Sequence, residues 1–286
     1  MIPAPTSTAL RLTGRDVLTV LHRVSTQKLD DLAIGECRTT LLCDFRGRMQ
    51  HRFVVARMRD EGIWLVRPDA AGSELAEAID RSVFREEVTI EDRSVQLPVT
   101  AVRVNTPSAT PQRLLPSGDP TVPGLVHEDP SVAFVIGGAG EREALSPGHG
   151  VLDDITAIAQ GWARQSHEII EEFNPFEVGL GKAVHLDKGC FTGQETLQRL
   201  ITYSSVRRQL VILQGAVTHP SCPSQILSLG QDAGRLTSAS PSQHGWSGLA
   251  VMRRASLESG ASFELADGQV VTIARTFEPA RPLGRP

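Results

Sequence analysis

The chain has 286 residues, a formal net charge of −4, 40% hydrophobic residues and 5% aromatic residues. This length exceeds what one hydrophobic core usually organises, so two or three domains are expected. The negative charge argues against a broad phosphate-binding face, although a local basic patch stays open, and the few aromatic residues argue against a base-stacking platform. Direct nucleic-acid binding is therefore not expected. No positive segment followed by an apolar run opens the chain, and no apolar run reaches membrane-spanning length. These features predict a cytoplasmic protein without membrane contact.

Strand and helix patterns alternate over the first 104 residues. Hydrophobic runs typical of strands occur at residues 8–12, 39–42, 49–58, 62–66, 87–91 and 99–104. Helical spacing predicts helices at residues 17–24 and 70–83, the second with Asp69 as its N-cap. A hairpin turn is predicted at Asp44-Phe45-Arg46-Gly47. This order favours an α+β unit over a parallel doubly wound sheet.

The middle and the end of the chain differ in character. A loop rich in proline and polar residues is predicted at 106–123. Further elements follow it: strands at 132–137 and 164–170, helices at 151–162 and 193–203, and a turn at 173–176. Beyond residue 208 the chain consists of short strands at 209–214, 233–239, 248–254 and 270–274. This pattern predicts a separate C-terminal β-barrel domain, and so a division into residues 1–205 and 206–286.

The segment Lys188-Gly189-Cys190-Phe191-Thr192-Gly193-Gln194-Glu195 gathers a thiol, a cation, an amide and a carboxylate within eight residues. A thiol reacts as the thiolate, and its pKa falls beside a cation or near a helix N-terminus. Lys188 lies two residues before Cys190, and the residues after Gly193 have helical spacing. The octapeptide therefore predicts a functional thiol at Cys190.

A structural interpretation of the octapeptide is also open. Thr192 and Glu195 fit the capping-box pattern, in which the N-cap hydroxyl and the N3 carboxylate bond each other's backbone amides. Glu195 would then cap the helix, and Cys190 would be a small buried apolar residue, as free cysteines often are. The two interpretations are compatible, because an ordered turn would hold the thiol at the positive end of the helix dipole.

The other three cysteines, Cys37, Cys43 and Cys222, lie far from Cys190 in the sequence, and no CxxC occurs. In a chain of this length they predict neither a disulfide framework nor a metal site. Iron–sulfur clusters need several thiolates, so stable cluster binding by this chain alone is not expected. Contact with a cluster that is shared with a partner protein stays open.

The octapeptide resembles the KGC(Y/F)xGQE signature of the YgfZ/Iba57 family, which is related to the glycine-cleavage T-protein, a folate-dependent aminomethyltransferase. Further motifs agree with the family in order and spacing over nearly the whole chain. They are a G-x-D opening at 14–16, an LCDxxGR hairpin at 42–48, an F-x-P-x-E segment at 173–177, and G-x-x-T-S and GLAxxRR elements at 234–238 and 248–254.

The resemblance implies a three-lobed, GcvT-like fold around a tetrahydrofolate or a related folate, with a C-terminal β-barrel. It also implies a role in the assembly or repair of iron–sulfur clusters, with client or assembly proteins as partners and an effect on tRNA modification. The family's functional thiol corresponds to Cys190. Folate binding falls on the residues around it: Lys188, Gly189, Gly193, Gln194 and Glu195.

One segment departs from the T-protein. Aminomethyltransferases carry an LDDL segment with a catalytic aspartate where this chain has Met49-Gln50-His51-Arg52. His51 is either a general base or, as is commoner on a strand, a structural or surface residue. Aminomethyl transfer is therefore disfavoured. An accessory role without turnover is the leading hypothesis, a tetrahydrofolate-dependent aminomethyltransferase or demethylase is the second, and a tRNA-binding module is the third.

Two further groups of side chains are candidates for holding a folate. One carboxylate can accept the two adjacent N–H groups of a pterin edge. Glu171, Glu172 and Glu177 are thus alternatives to Glu195, unless they form a solvated acidic run. Arginines can meet the anionic glutamate tail of a folate, unless they are ordinary surface residues. The arginine candidates are Arg48, Arg52, Arg199 and Arg207.

Overall fold

The structure is a computed structural model that describes residues 6–58, 62–104, 115–116, 123–127, 131–140, 143, 150–216, 219–258 and 262–284. The chain divides into two compact units. Unit 1 is drawn from residues 1–43, 51–152 and 188–192, and unit 2 from residues 44–50, 153–187 and 193–286. The octapeptide is thus shared, with its first five residues in unit 1 and its last three in unit 2.

Unit 1 is built on two sheets. Its strands are β1 Thr8–Thr13, β2 Cys37–Cys43, β3 Met49–Arg57, β4 Ile63–Arg67, β5 Thr89–Asp92, β6 Val99–Arg103, β7 Leu115–Pro116, β8 Pro123–His127 and β9 Val132–Ile136. The first sheet has the strand order β2-β3-β4-β1-β5, and the second has the order β6-β9-β8-β7. The first two residues of β3 are assigned to unit 2.

Two helices of unit 1 pack on the first sheet. They are α1 Val17–Val24 and α2 Gly72–Asp80. Leu21 of α1 and Leu75 of α2 share a hydrophobic core with Leu10 of β1, as the apolar spacing of both helices requires. The predicted N-cap Asp69 is wrong: the N-cap of α2 is Ala71. Asp69 instead accepts a hydrogen bond from Arg52 at 2.9 Å.

Unit 2 contains the predicted C-terminal β-barrel, which is confirmed. Its strands are β10 Arg208–Gly215, β11 Ser224–Ser228, β12 Gln231–Ser242, β13 Gly245–Arg253, β14 Phe263–Leu265 and β15 Val270–Thr276. They close in the order β10-β13-β12-β11-β14-β15. Alternate residues such as Val211 and Leu213, together with the buried Trp246, fill the interior.

The rest of unit 2 is helical or irregular. Its helices are α3 Asp154–Gln160, a 3₁₀ turn at Gly181–Ala183, α4 Gln194–Thr202 and α5 Arg254–Glu258. The predicted strand at 164–170 is wrong, because Ser166 adopts a φ of +65° and the segment turns. Glu168 is buried there, and its carboxylate accepts hydrogen bonds from the hydroxyls of Thr237 and Ser238. The T-S motif of the barrel therefore has a structural task.

The α+β class is confirmed by this architecture. The predicted loop at 106–123 lies outside the described residues except for positions 115, 116 and 123, which are in strands. The predicted boundary between residues 205 and 206 stays a prediction.

Candidate functional site

Lys188, the first residue of the octapeptide, is buried in unit 1 with 7% of its surface exposed. Its ammonium group donates a hydrogen bond to the backbone oxygen of His22. The same group lies 4.9 Å from the centre of the Phe191 ring. Burial lowers the pKa of Lys188 to about 8, against the opposing effects of Asp30 and Cys190. The cation predicted beside the thiol is therefore held by the fold.

His22, in the last turn of α1, holds the octapeptide backbone. Its Nδ1 accepts hydrogen bonds from the backbone N–H groups of Leu29 at 3.1 Å and Asp30 at 3.2 Å. A nitrogen that accepts two such bonds carries no proton, so Nε2 carries it and donates to the Lys188 carbonyl at 2.8 Å. The 3.4 Å approach of the Asp30 carboxylate to Nδ1 is therefore not a charged pair. No local sequence pattern marks His22 as part of this site, because 166 positions separate it from Lys188.

Cys190 is exposed, so its interpretation as a small buried apolar residue is wrong. Cys37 and Cys43 are buried, whereas Cys222 is exposed. Partial burial of the sulfur and the charge of Glu168 raise the pKa of the Cys222 thiol to about 11. Cys190 differs from Cys222 in having the Lys188 cation as its electrostatic neighbour.

The second half of the octapeptide opens α4 of unit 2 without a capping box. The N-cap residue is Gly193, which makes no side-chain capping bond. Its φ is +83°, and a Cβ at this position would lie 2.4 Å from the backbone oxygen of Asp44. The predicted box of Thr192 and Glu195 is therefore wrong, because the N-cap falls one residue later than the box requires. The predicted helix itself is confirmed.

Gln194 and Glu195 have different surroundings within unit 2. The Gln194 side-chain amide donates to the Leu186 carbonyl at 2.8 Å, which fixes the chain before the octapeptide. Glu195 is 79% exposed and pairs with Arg199 at 2.6 Å, one helical turn later. A surface pair of this kind contributes little to stability.

The acidic segment before the octapeptide is not a uniform solvated run. Glu171 is exposed, and its carboxylate accepts a hydrogen bond from Gln50 at 3.1 Å. Glu172 is bridged by two arginines, Arg208 at 3.2 Å and Arg235 at 2.7 Å. Glu177 is buried. The interpretation as a solvated run is thus wrong for Glu177.

A reciprocal pair of backbone bonds positions Glu177. The Asn174 side-chain oxygen accepts from the Glu177 N–H at 3.3 Å, and Glu177 Oε2 accepts from the Asn174 N–H at 3.1 Å. This is the arrangement that was predicted for Thr192 and Glu195. The other oxygen, Oε1, lies 3.6 Å from Arg208 Nε.

Glu177 also has an unusual ionisation. Burial raises the pKa of its carboxyl group, against the opposing effects of the Asn174 hydrogen bond, Arg208 and Arg48. A buried carboxyl group with a perturbed pKa is a candidate for a functional site. Glu177 therefore differs from the exposed Glu195.

The four arginine candidates also have different environments. Arg48 donates to the Glu172 carbonyl at 2.6 Å and lies 3.7 Å from the Glu177 carboxylate. Arg52 is buried in unit 1 and pairs with Asp69, so it is a core residue. Arg199 is the surface partner of Glu195. Arg207 is exposed and lines a cavity of unit 2.

His51 has a structural environment in unit 1. Its Nδ1 lies 3.1 Å from Arg67 Nη1, and since a guanidinium only donates, this nitrogen accepts. Burial and the charge of Arg67 lower the pKa of His51 to about 4. A general base works best with a pKa near the operating pH. His51 is thus a weak base, and the structural interpretation is favoured.

Sequence comparisons point to one group of proteins. Residues 4–110 match the family model described as the GCVT N-terminal domain. A protein of Arabidopsis thaliana described as a chloroplastic transferase is 37% identical over 89 residues, which is 31% of this chain and 20% of that protein. An aminomethyltransferase of Symbiobacterium thermophilum is 26% identical over 68% of this chain and 62% of its own length. The chain thus spans less than two thirds of either relative.

The solved structures extend the match to nearly the whole chain. The glycine cleavage system aminomethyltransferase T from Bartonella henselae superposes with a TM-score of 0.70 at 14% sequence identity. The alignment covers 98% of this chain and 86% of that protein. The fold is GcvT-like. In the described residues, Cys190 of unit 1 is an exposed thiol and Glu177 of unit 2 is a buried carboxyl group of raised pKa.

A helix that crosses a bilayer needs about 20 predominantly apolar residues, and this requirement can be applied to the described helices. Among them, none has both the length and the apolar character of a membrane span.

Proposed function

We propose that this protein is a folate-binding accessory factor that supports the assembly or repair of iron–sulfur clusters in client enzymes, including enzymes of tRNA modification. The observation that carries the proposal is the exposed Cys190 beside the buried, hydrogen-bonded Lys188. A thiolate is the form of cysteine that contacts metal, and a fixed neighbouring cation favours it. Cys190 would contact a cluster that is completed by thiolates of a client or assembly protein.

Tetrahydrofolate is the cofactor that a GcvT-like fold implies, and Glu177 fits it. Its carboxyl group is buried and positioned by Asn174, and each carboxylate oxygen has more than one acceptor site. It can therefore take the paired N–H groups of a pterin edge. Lys188, Gly189, Gly193, Gln194 and Glu195 are proposed as further folate contacts, with Glu195 contributing least because it is exposed and paired with Arg199. When bound, tetrahydrofolate would supply an acceptor for one-carbon groups.

An accessory role is favoured over turnover because of position 51. A carboxylate beside a developing iminium stabilises positive charge. At this position the chain has a neutral histidine whose Nδ1 faces the cation Arg67. This environment is electropositive and opposes the charge that aminomethyl transfer would develop.

The alternative is a tetrahydrofolate-dependent aminomethyltransferase, and the relative from Symbiobacterium thermophilum, named an aminomethyltransferase, favours it. The purified protein would be incubated with tetrahydrofolate and an aminomethyl donor beside an active aminomethyltransferase. Formation of methylenetetrahydrofolate at a comparable rate would replace the accessory role with this activity.

The proposal is tested in a strain that lacks the gene. The strain is complemented with the wild type, Cys190→Ala or Cys222→Ala, and methylthiolated tRNA is quantified. We expect wild-type levels with Cys222→Ala, which removes an exposed thiol of raised pKa, and a loss with Cys190→Ala at equal protein levels. Full rescue by Cys190→Ala would refute the role of the thiol. Tetrahydrofolate binding by both purified variants would separate that role from the folate site.

A further inference from the structure

A polar cavity of about 580 Å³ lies in unit 2, where strands of the barrel meet the acidic segment. Its charged lining consists of Arg207, Arg208, Arg235, Arg253, Glu172 and Asp232. This volume lies within the range of small-molecule sites, which are usually lined by apolar and aromatic residues. A lining with four guanidinium groups instead fits a ligand that is itself charged.

Glu172 fixes two of the arginines. Its two carboxylate oxygens accept from Arg208 and Arg235 respectively. The Arg208 guanidinium also lies 5.4 Å from the centre of the Phe173 ring, which restrains it from another side. Arg208 Nε also lies 3.6 Å from the Glu177 carboxylate. Each guanidinium has five N–H donors, so these contacts leave donors of both groups for a ligand. Glu172 thus holds two arginines in a pre-organised arrangement.

The other two arginines add to the positive charge. Arg253 pairs with Asp232 at the edge of the cavity. Arg207 is exposed, and in the described part of the chain no side chain pairs with its guanidinium. Its backbone carbonyl accepts from the Arg254 N–H, which fixes the start of β10. The lining therefore has two more cations than carboxylates, in a chain whose formal net charge is −4.

We propose that this cavity binds a small polyanion whose charge is carried by carboxylate or phosphate oxygens. Guanidinium groups recognise both kinds of oxygen through paired N–H donors. The excess of cations over carboxylates in the lining matches a ligand with more than one negative charge. The cavity lining contains no aromatic side chain for stacking, so its charges are its main recognition feature.

The test is calorimetric titration of the full chain with pyrophosphate and, separately, with γ-linked triglutamate. We expect saturable binding of at least one probe, weakened by added salt because the interaction is between charges. Arg207→Ala should weaken it about tenfold, since it removes a charge-assisted contact. Arg281→Ala is the matched control: it removes one exposed arginine of unit 2 outside the lining and should leave the affinity unchanged.

The outcomes distinguish a carboxylate ligand from a phosphate ligand. They also distinguish failure of the anion-site proposal from failure of the proposed folate-binding function. Binding of triglutamate alone assigns the cavity to a carboxylate ligand such as the tail of a folate, and binding of pyrophosphate alone assigns it to a phosphate ligand. If neither probe binds, or if both variants weaken binding equally, the cavity is not an anion site. Binding of tetrahydrofolate with a single glutamate is measured in parallel, and its failure would count against the proposed function only.

Discussion

The octapeptide and the acidic segment before it differ in how well their sequence patterns indicate which side chains are functional. Residues 188–195 form the most specific motif in the chain, yet two of the last three serve the structure: Gly193 starts a helix and Gln194 fixes a carbonyl. Residues 171–177 form a common acidic pattern, yet they contain the buried Glu177. A motif's specificity therefore says that a segment is constrained, whereas burial says which of its side chains are available for chemistry.

The largest expected effect concerns the structural half of the octapeptide. Gly193→Ala should lower the free energy of unfolding by about 3 kcal/mol, because it combines a left-handed backbone with a clash. Gly179→Ala is the control, since Gly179 has the same φ of +83° but no atom within 4 Å of an added Cβ. Its expected cost is about 1 kcal/mol, that of the backbone alone. Urea denaturation of both variants measures the difference, and equal costs would show that Asp44 can move away.

The second prediction compares the two glutamates as pterin acceptors. Glu177→Gln should weaken tetrahydrofolate binding about thirtyfold, because it removes a buried, charge-assisted acceptor. Glu195→Gln should change the affinity by less than about twofold, since the exposed carboxylate already pairs with Arg199. Fluorescence titration of both variants with tetrahydrofolate at pH 7 measures the two affinities. A greater loss with Glu195→Gln would return the pterin contact to the octapeptide.

The third prediction uses the pKa of Lys188, which is about 8 in the folded protein and 10.5 in an ordinary lysine. Between these values the unfolded chain binds a proton that the folded chain has released, so this lysine makes stability rise with pH. Below pH 8 its burial penalty is constant. The free energy of unfolding of wild type minus that of Lys188→Met should therefore increase from pH 8 to pH 10. A constant difference would contradict a buried, shifted lysine.

The smallest effect concerns the surface pair of α4. Glu195→Ala should change the free energy of unfolding by less than about 0.5 kcal/mol, because both partners of the pair are exposed. A cost comparable with that of Gly193→Ala would instead mean that Glu195 has the capping role expected from the sequence. Thermal denaturation in low and high salt measures the contribution of this ion pair to stability, since salt screens the interaction between its charges.

The sequence predicts local structure well where the pattern and the packing agree. The α+β class, the barrel and the helix after Gly193 follow from apolar spacing and turn residues. The segment 164–170 has a strand-like pattern but turns at Ser166, and its buried Glu168 is bonded to hydroxyls about seventy positions later. Such distant partners leave no local signal.

Some residues of the candidate site could be predicted from the sequence and others could not. Cys190 and Lys188 stand out by their chemistry, and the structure shows one exposed and the other buried. His22 could not be found from the sequence, since its role depends on hydrogen bonds across the fold. Glu177 and Glu195 each follow a possible capping residue by three positions. They are distinguished by burial, because Glu177 is buried and Glu195 is exposed.

The contact between Gly193 and the hairpin at Asp44 to Gly47 has an evolutionary consequence. A Cβ on Gly193 would meet Asp44, and a Cβ on Gly47 would lie 2.9 Å from Leu197 of α4. The hairpin and the start of α4 therefore pack closely against each other, and a side chain added at either glycine requires its neighbour to shift. Among homologues of this chain, substitutions in the hairpin and in the octapeptide should therefore be correlated. A homologue that lacks one of the two glycines should have a compensating substitution in the other segment.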